Sequence, residues 1–163
     1  MLAEVYWITD SLATMPRPRG NDWLEDEIIS YKKSGVDIVV SLLEQDEINE
    51  LEIEKEEFWC NEKGITFLNY PIGDRQTPKS FTETLELVRK LQNFITQGKK
   101  VAIHCRQGIG RATLIAVSVL VLQEYSVENA FVKITESRGC KVPDTQEQID
   151  WVKSFAQHIN DNQ

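Results

Sequence analysis

Residues 101–111, Val-Ala-Ile-His-Cys-Arg-Gln-Gly-Ile-Gly-Arg, constrain this chain more than any other segment. Val101, Ala102 and Ile103 read as the end of a buried strand, and Arg111 opens a long apolar helical run. Cys105 therefore sits at a strand's carboxyl end, in a loop that feeds a helix N-terminus. Such a loop turns backbone N–H groups inward, and the helix dipole adds partial positive charge. Gly108 and Gly110 let the backbone turn sharply and approach a ligand without a Cβ. The field that holds an oxyanion there also favours a thiolate at Cys105. Arg111 supplies a planar fork matched to two phosphoryl oxygens. An activated sulfur beside a cradle for a tetrahedral oxyanion implies phosphoryl transfer to cysteine.

Strand and helix patterns alternate around that segment. Residues 5–9 read as a short strand, and 15–20, with two prolines and a glycine, as a loop. Asp22 is placed to cap a helix running to about Ser34, packed through Trp23, Ile28, Ile29 and Tyr31 and stopped by Gly35. Residues 36–43 form an almost continuous β-branched apolar run, as a strand buried on both faces requires. A second helix, acidic on its outer face, is expected over 46–63, then a strand over 65–72. Ser80 caps a helix to about Gln97, with Phe81, Leu85, Val88, Leu91 and Phe94 at helical spacing. Residues 99–104 make the strand that delivers Cys105, and 111–125 a helix apolar nearly all round, hence buried. Two more helices are expected over 127–137 and 145–159. The prediction is an α/β domain, a three-layer α-β-α arrangement with a central, mainly parallel sheet. Its phosphate-binding loop lies between strand 99–104 and helix 111–125, at the strand ends where such sheets bind ligands.

Breaking a phosphate monoester needs a proton donor for the leaving oxygen. Asp74, in the Pro- and Gly-containing loop Tyr70-Pro-Ile-Gly-Asp-Arg-Gln-Thr-Pro, follows a strand and can sit over the strand ends as a lid. Asp46 and Glu44 compete from a neighbouring strand end. Glu44 is assigned to orient Arg111 or an active-site amide. His104 points away from the nucleophile and is read as an organiser of the loop backbone. Arg106 can widen the basic rim, and Arg17 and Arg19 are candidates for a second substrate phosphate.

The segment His104 to Arg111 resembles the signature of cysteine-dependent protein tyrosine phosphatases, in their compact dual-specificity and bacterial tyrosine-phosphatase-like branch. The resemblance implies Cys105 as nucleophile and Arg106, Gln107, Gly108, Ile109, Gly110 and Arg111 as the phosphate cradle. It implies that Asp74 protonates the leaving group and then deprotonates the water that cleaves the phosphocysteine. It also implies that Gln148, with Gln146 as runner-up, returns toward the site to position water. One position departs from the pattern: Ala112 stands where the family usually has a Ser or Thr whose hydroxyl helps the sulfur leave. The implied activity is hydrolysis of phosphotyrosine and, in a shallow pocket, phosphoserine or phosphothreonine on proteins. The alternatives are a catalytically slow phosphate-binding module and a phosphatase of non-protein esters. Sulfur transfer is disfavoured by the arginine six residues after the cysteine.

The chain has 163 residues and a net charge of −8, which argues against nucleic acid or an anionic membrane surface as partner. One phosphatase domain over 1–163 is expected, without cofactor or metal, as a monomer. No basic leader or cleavage site is visible in Met1 to Asp10, and 3 cysteines are too few for a disulfide framework. A cytoplasmic location is the expectation, since a working thiolate needs a reducing compartment.

Overall fold

The computed structural model describes residues 3–162; Met1 and Leu2, part of the expected leaderless start, and Gln163 lie outside them. Five strands, β1 (Tyr6–Trp7), β2 (Leu12–Met15), β3 (Ile38–Ser41), β4 (Thr66–Asn69) and β5 (Val101–His104), form one sheet. Their order is β1-β2-β5-β3-β4, and only the β1–β2 pair is antiparallel. The mainly parallel sheet of the sequence reading is therefore present. Strand β2 is an addition to that reading. Its four residues lie between a turn and a proline loop, too short a run for alternation to show, and pairing with β1 and β5 sets it.

The central strands are buried on both faces, so successive side chains feed two cores. Leu12, Ile38, Val40, Val101 and Ile103 face one core. It is completed by α4 (Phe81–Thr96), α5 (Arg111–Leu122), α6 (Val127–Arg138) and α7 (Gln146–Asp161). Ala13, Met15, Val39 and Ala102 face the other, under α1 (Leu24–Lys33) and α3 (Glu56–Glu62). These are the three layers expected. Helix α5 is buried along nearly its whole length, as its uninterrupted apolar sequence requires.

Three local expectations are corrected. The helix predicted over 46–63 is two, α2 (Gln45–Glu50) and α3. Between them Glu52 adopts φ +58°, its carbonyl accepts from Asn21 N–H at 2.8 Å, and Ile53 turns into the core beneath α1. Nor is the acidic face wholly external: Glu47 and Glu56 are buried, for reasons seen in the site. Asp22 caps nothing. It sits inside a single 3₁₀ turn, Asn21–Trp23, and Trp23 is exposed beneath the Arg19 guanidinium rather than packed in the core.

The register levels the strand ends. Met15 and Ser41 both lie beside His104, so β2, β5 and β3 end at one edge of the sheet. Cys105 is the next residue along the central strand, and α5 starts above the same edge.

Candidate active site

The loop after β5 is held from three sides. Gly108 adopts φ +76°, and a Cβ there would lie 2.6 Å from the Met15 carbonyl, so only glycine lets the loop rest on the end of β2. Arg17 N–H donates to the Arg106 carbonyl at 3.1 Å, and Arg138 Nη2 to the Gln107 carbonyl at 3.0 Å. Ile109 packs against the α5-side core. Cys105 lies at the bottom, only 3% exposed.

Beneath the loop, His104 points to the opposite face from Cys105, as strand alternation requires. Its Nε2 meets Glu56 Oε2 at 2.7 Å, both side chains being buried, while Nδ1 lies 3.4 Å from the Cys105 carbonyl. His104 thus reaches the loop backbone at the Cys105 carbonyl and has a partner, Glu56, that the sequence did not reveal. The nearby Cys60 thiol is pushed up by burial and by Glu56 and Glu57, which makes it an unreactive core residue.

Arg111 is 2% exposed, and both Nη atoms of its guanidinium are engaged. Nη1 donates to Glu47 Oε1 at 2.7 Å and to the Ile72 carbonyl at 2.8 Å; Nη2 donates to Glu47 Oε2 at 3.0 Å and to Asp74 Oδ1 at 3.2 Å. The carboxylate orienting Arg111 is therefore Glu47, not Glu44. Glu44 is exposed at the N-cap of α2, where it forms a capping box with Glu47, its N–H donating to Glu47 Oε1, and it is not a partner of Arg111. One helical turn carries residue 47, not residue 44, back over the strand ends.

Arg106 does not widen a free basic rim. Its Nε and Nη2 are paired with Glu47 and Glu50, each at 2.9 Å, which pins α2 to the loop. Arg19 pairs with Glu27 and is likewise committed. Burial alone would raise the Glu47 carboxyl. Hydrogen bonds from Arg111, Glu44 N–H and Arg106 outweigh it and hold the group at about 2. For Arg111, burial would lower the guanidinium, but Glu47 and the Cys105 and Asp74 charges more than restore it.

A carboxyl held at about 2 when folded binds protons more tightly when unfolded, so acid favours unfolding. Glu47 contributes stability above the usual glutamate range and loses it as pH falls toward 2. Urea midpoints should accordingly show Glu47→Gln destabilised near pH 6, with the gap from wild type narrowing between about pH 4.5 and pH 2. A gap constant across that window would mean that Glu47 carries no such linkage.

The cleft above Cys105 has a volume of about 130 Å³. Arg106, Gln107, Gly110 and Arg111 line it from the phosphate loop, Asp74 and Arg75 from the preceding loop, and Asp144 from the connector before α7. The Asp74 side chain is 57% exposed at the rim, in a turn closed by Gln76 N–H on the Gly73 carbonyl at 2.9 Å. Arg75 next to it has φ +60°, a left-handed conformation that non-glycine residues seldom adopt. Gln148 is fully buried and does not line the cleft. Its Oε1 accepts from Asp144 N–H at 3.0 Å and Thr145 N–H at 3.3 Å, and its Nε2 donates to the Gln76 carbonyl at 3.1 Å. It ties the Asp74 loop to the start of α7. Gln146 is exposed and bonded to Asp150, outside the site. Thr113 Oγ1 is buried without a hydrogen-bond partner among the described residues, so it does not replace the hydroxyl missing at Ala112.

Three functional neighbours escaped the sequence reading. Glu47 had a signal, its position one turn into a helix that follows a strand end. Glu56 and Asp144 had none, because tertiary folding alone brings them in. Among the described residues no metal-binding group of His, Cys, Asp and Glu occurs, and no helix is long and apolar enough to cross a membrane.

Comparison with known proteins agrees with this geometry. Residues 13–124 match the family model described as "Tc-R-P: Polymorphic toxin system, DSP-PTPase phosphatase". Protein 197R of Invertebrate iridescent virus 6, provisionally named a tyrosine phosphatase, is 36% identical over 107 residues, covering 62% of this chain. The chain spans 38% of that protein's length. Among solved structures, Tk-PTP in its active form is 27% identical, with a TM-score of 0.80 and coverage of 96% of this chain and 99% of that one. Kinase associated phosphatase, solved with serine at its catalytic cysteine, superposes with a TM-score of 0.89 over 98% of this chain and 97% of that one. At 18% identity, that likeness concerns the fold. With the matched stretch running from β2 through the phosphate loop and all of α5, the chain belongs to the cysteine-dependent dual-specificity, tyrosine-phosphatase-like family.

Proposed function

We propose that residues 1–163 form one phosphatase domain that hydrolyses phosphate monoesters on proteins, phosphotyrosine first and also phosphoserine and phosphothreonine. The observation that carries this reading is Cys105 at the floor of a small cleft, with Arg111 locked by Glu47 beside it and Asp74 on the rim. Cys105 sulfur attacks phosphorus, the bond to the ester oxygen breaks, and Asp74 gives that oxygen its proton. Water then attacks the phosphocysteine, the sulfur–phosphorus bond breaks, and inorganic phosphate leaves. The α5 N-terminus and Arg111 stabilise the charge on the phosphoryl oxygens. Arg111 Nη2, bonded to Asp74 in the free protein, is the donor that turns to substrate. Among the described residues no aromatic side chain lines the cleft, which supports action on alkyl as well as aryl phosphates. The need for a reduced thiol supports a cytoplasmic setting.

Turnover of p-nitrophenyl phosphate and of a Tyr, Ser and Thr phosphopeptide panel tests the proposal, with Asp74→Asn beside wild type. General acid catalysis is typically worth about 10²–10⁴-fold, so Asp74→Asn should slow alkyl phosphopeptides by roughly that factor. An ester with a strongly acidic leaving group needs little protonation and should lose far less in the first step. Equal losses on both substrates would remove Asp74 from the acid role.

A further inference from the structure

We propose that Asp144 is a second catalytic carboxylate, the base that takes the proton of the water cleaving the phosphocysteine. This rests on the phosphatase reading above and divides between two residues the roles that the family resemblance gives to Asp74 alone. Asp144 lines the same cleft from a different element. A Cβ added at Gly110 would collide with its Oδ2, so the carboxylate lies directly on the phosphate loop where α5 begins.

Its backbone is fixed. Buried Gln148 accepts from Asp144 N–H and donates to the Gln76 carbonyl, which sets Asp144 against the loop carrying Asp74. Its carboxylate, by contrast, has no hydrogen bond or ion pair among the described residues, whereas Asp74 is engaged by Arg111. A carboxylate beside an anion cradle repels phosphate in the ground state, so an unpaired one there calls for a compensating role.

The chemistry of the second step supplies that role. No hydroxyl at residue 112 or from Thr113 steadies the departing sulfur, so departure leans on the attacking side. Water oxygen bonds to phosphorus, its proton passes to Asp144, the sulfur–phosphorus bond breaks, and the electron pair returns to Cys105. Protonated Asp144 releases its proton to solvent before the next cycle.

The test is acid-quench trapping of phosphoenzyme during steady-state turnover of p-nitrophenyl phosphate, in wild type, Asp144→Asn and Asp144→Glu. Asp144→Asn should lower kcat by about 10²-fold or more, while kcat/KM, which reports only the steps through phosphoenzyme formation, stays near wild type. Trapped phosphoenzyme should rise toward full occupancy, and Asp144→Glu should restore part of kcat. Unchanged kcat, an equal fall in kcat and kcat/KM, or a gain in kcat/KM alone would each overturn the proposal. If instead wild type traps no phosphate on Cys105 and Cys105→Ser still turns over, the phosphatase reading itself falls, and this assignment falls with it.

Discussion

Cys105→Ser should leave no measurable turnover while the protein still binds inorganic phosphate. A serine hydroxyl is not ionised by a field that suffices for a thiol, so the variant lacks the nucleophile rather than the binding site. Cys105 is 3% exposed, and serine is close to it in size, so the packing around β5 and α5 should persist. The Arg111–Glu47 pair and the N-terminus of α5 do not depend on the sulfur. Loss of the nucleophile from a unit that works through a covalent intermediate should cost roughly 10⁴-fold or more in kcat. Initial rates and calorimetric titration with phosphate measure the two halves. Turnover within tenfold of wild type would remove the covalent mechanism. Loss of phosphate binding together with turnover would show that the cradle needs the sulfur.

Much of this arrangement could be read from the sequence because local rules and the tertiary fold agree there. Residues 101–111 specify strand, glycine-bearing turn and helix start within one short window, and the structure places Cys105 and Arg111 accordingly. The uninterrupted apolar sequence of α5 signals burial whatever surrounds it. Ser80 and Gly98 bound α4 by capping chemistry that needs no distant partner.

Illegible features are those decided by contacts between remote segments. Glu47 meets Arg111 across 64 positions and Glu56 meets His104 across 48, and neither glutamate differs by composition from its solvated neighbours. The break between α2 and α3 comes from Ile53 entering the core and from Glu52 pairing with Asn21, against a local pattern that favours one continuous helix. Strand β2 exists through its pairing. The misassigned Glu44 shows how the two kinds of information combine: the strand end was right, and the helical turn that follows it moved the working carboxylate on by three residues.

Arg111→Lys should keep the fold and lose most of the activity, and the contrast with Arg111→Ala separates structure from chemistry. Removing the guanidinium outright leaves Glu47 buried with Arg106 as its remaining charge partner. Breaking a buried pair on one side costs about 3–5 kcal/mol, so Arg111→Ala should melt earlier as well as fail in catalysis. Lysine keeps a positive charge beside Glu47 and spares much of that cost. What lysine lacks is the fork. Arg111 binds both Glu47 oxygens and the Ile72 carbonyl while turning Nη2 toward Asp74 and the cleft, and one ammonium cannot hold those directions at once. Arginines that stabilise a transferring phosphoryl group are worth about 10³–10⁵-fold in kcat, so Arg111→Lys should fall by at least the lower figure. Because the fork touches ground state and transition state alike, KM should rise as well. Thermal melts, phosphate titration and initial rates on the same preparations check all three statements. Near-wild-type turnover in Arg111→Lys would show that charge alone suffices and that the bidentate hold from Glu47 serves only stability.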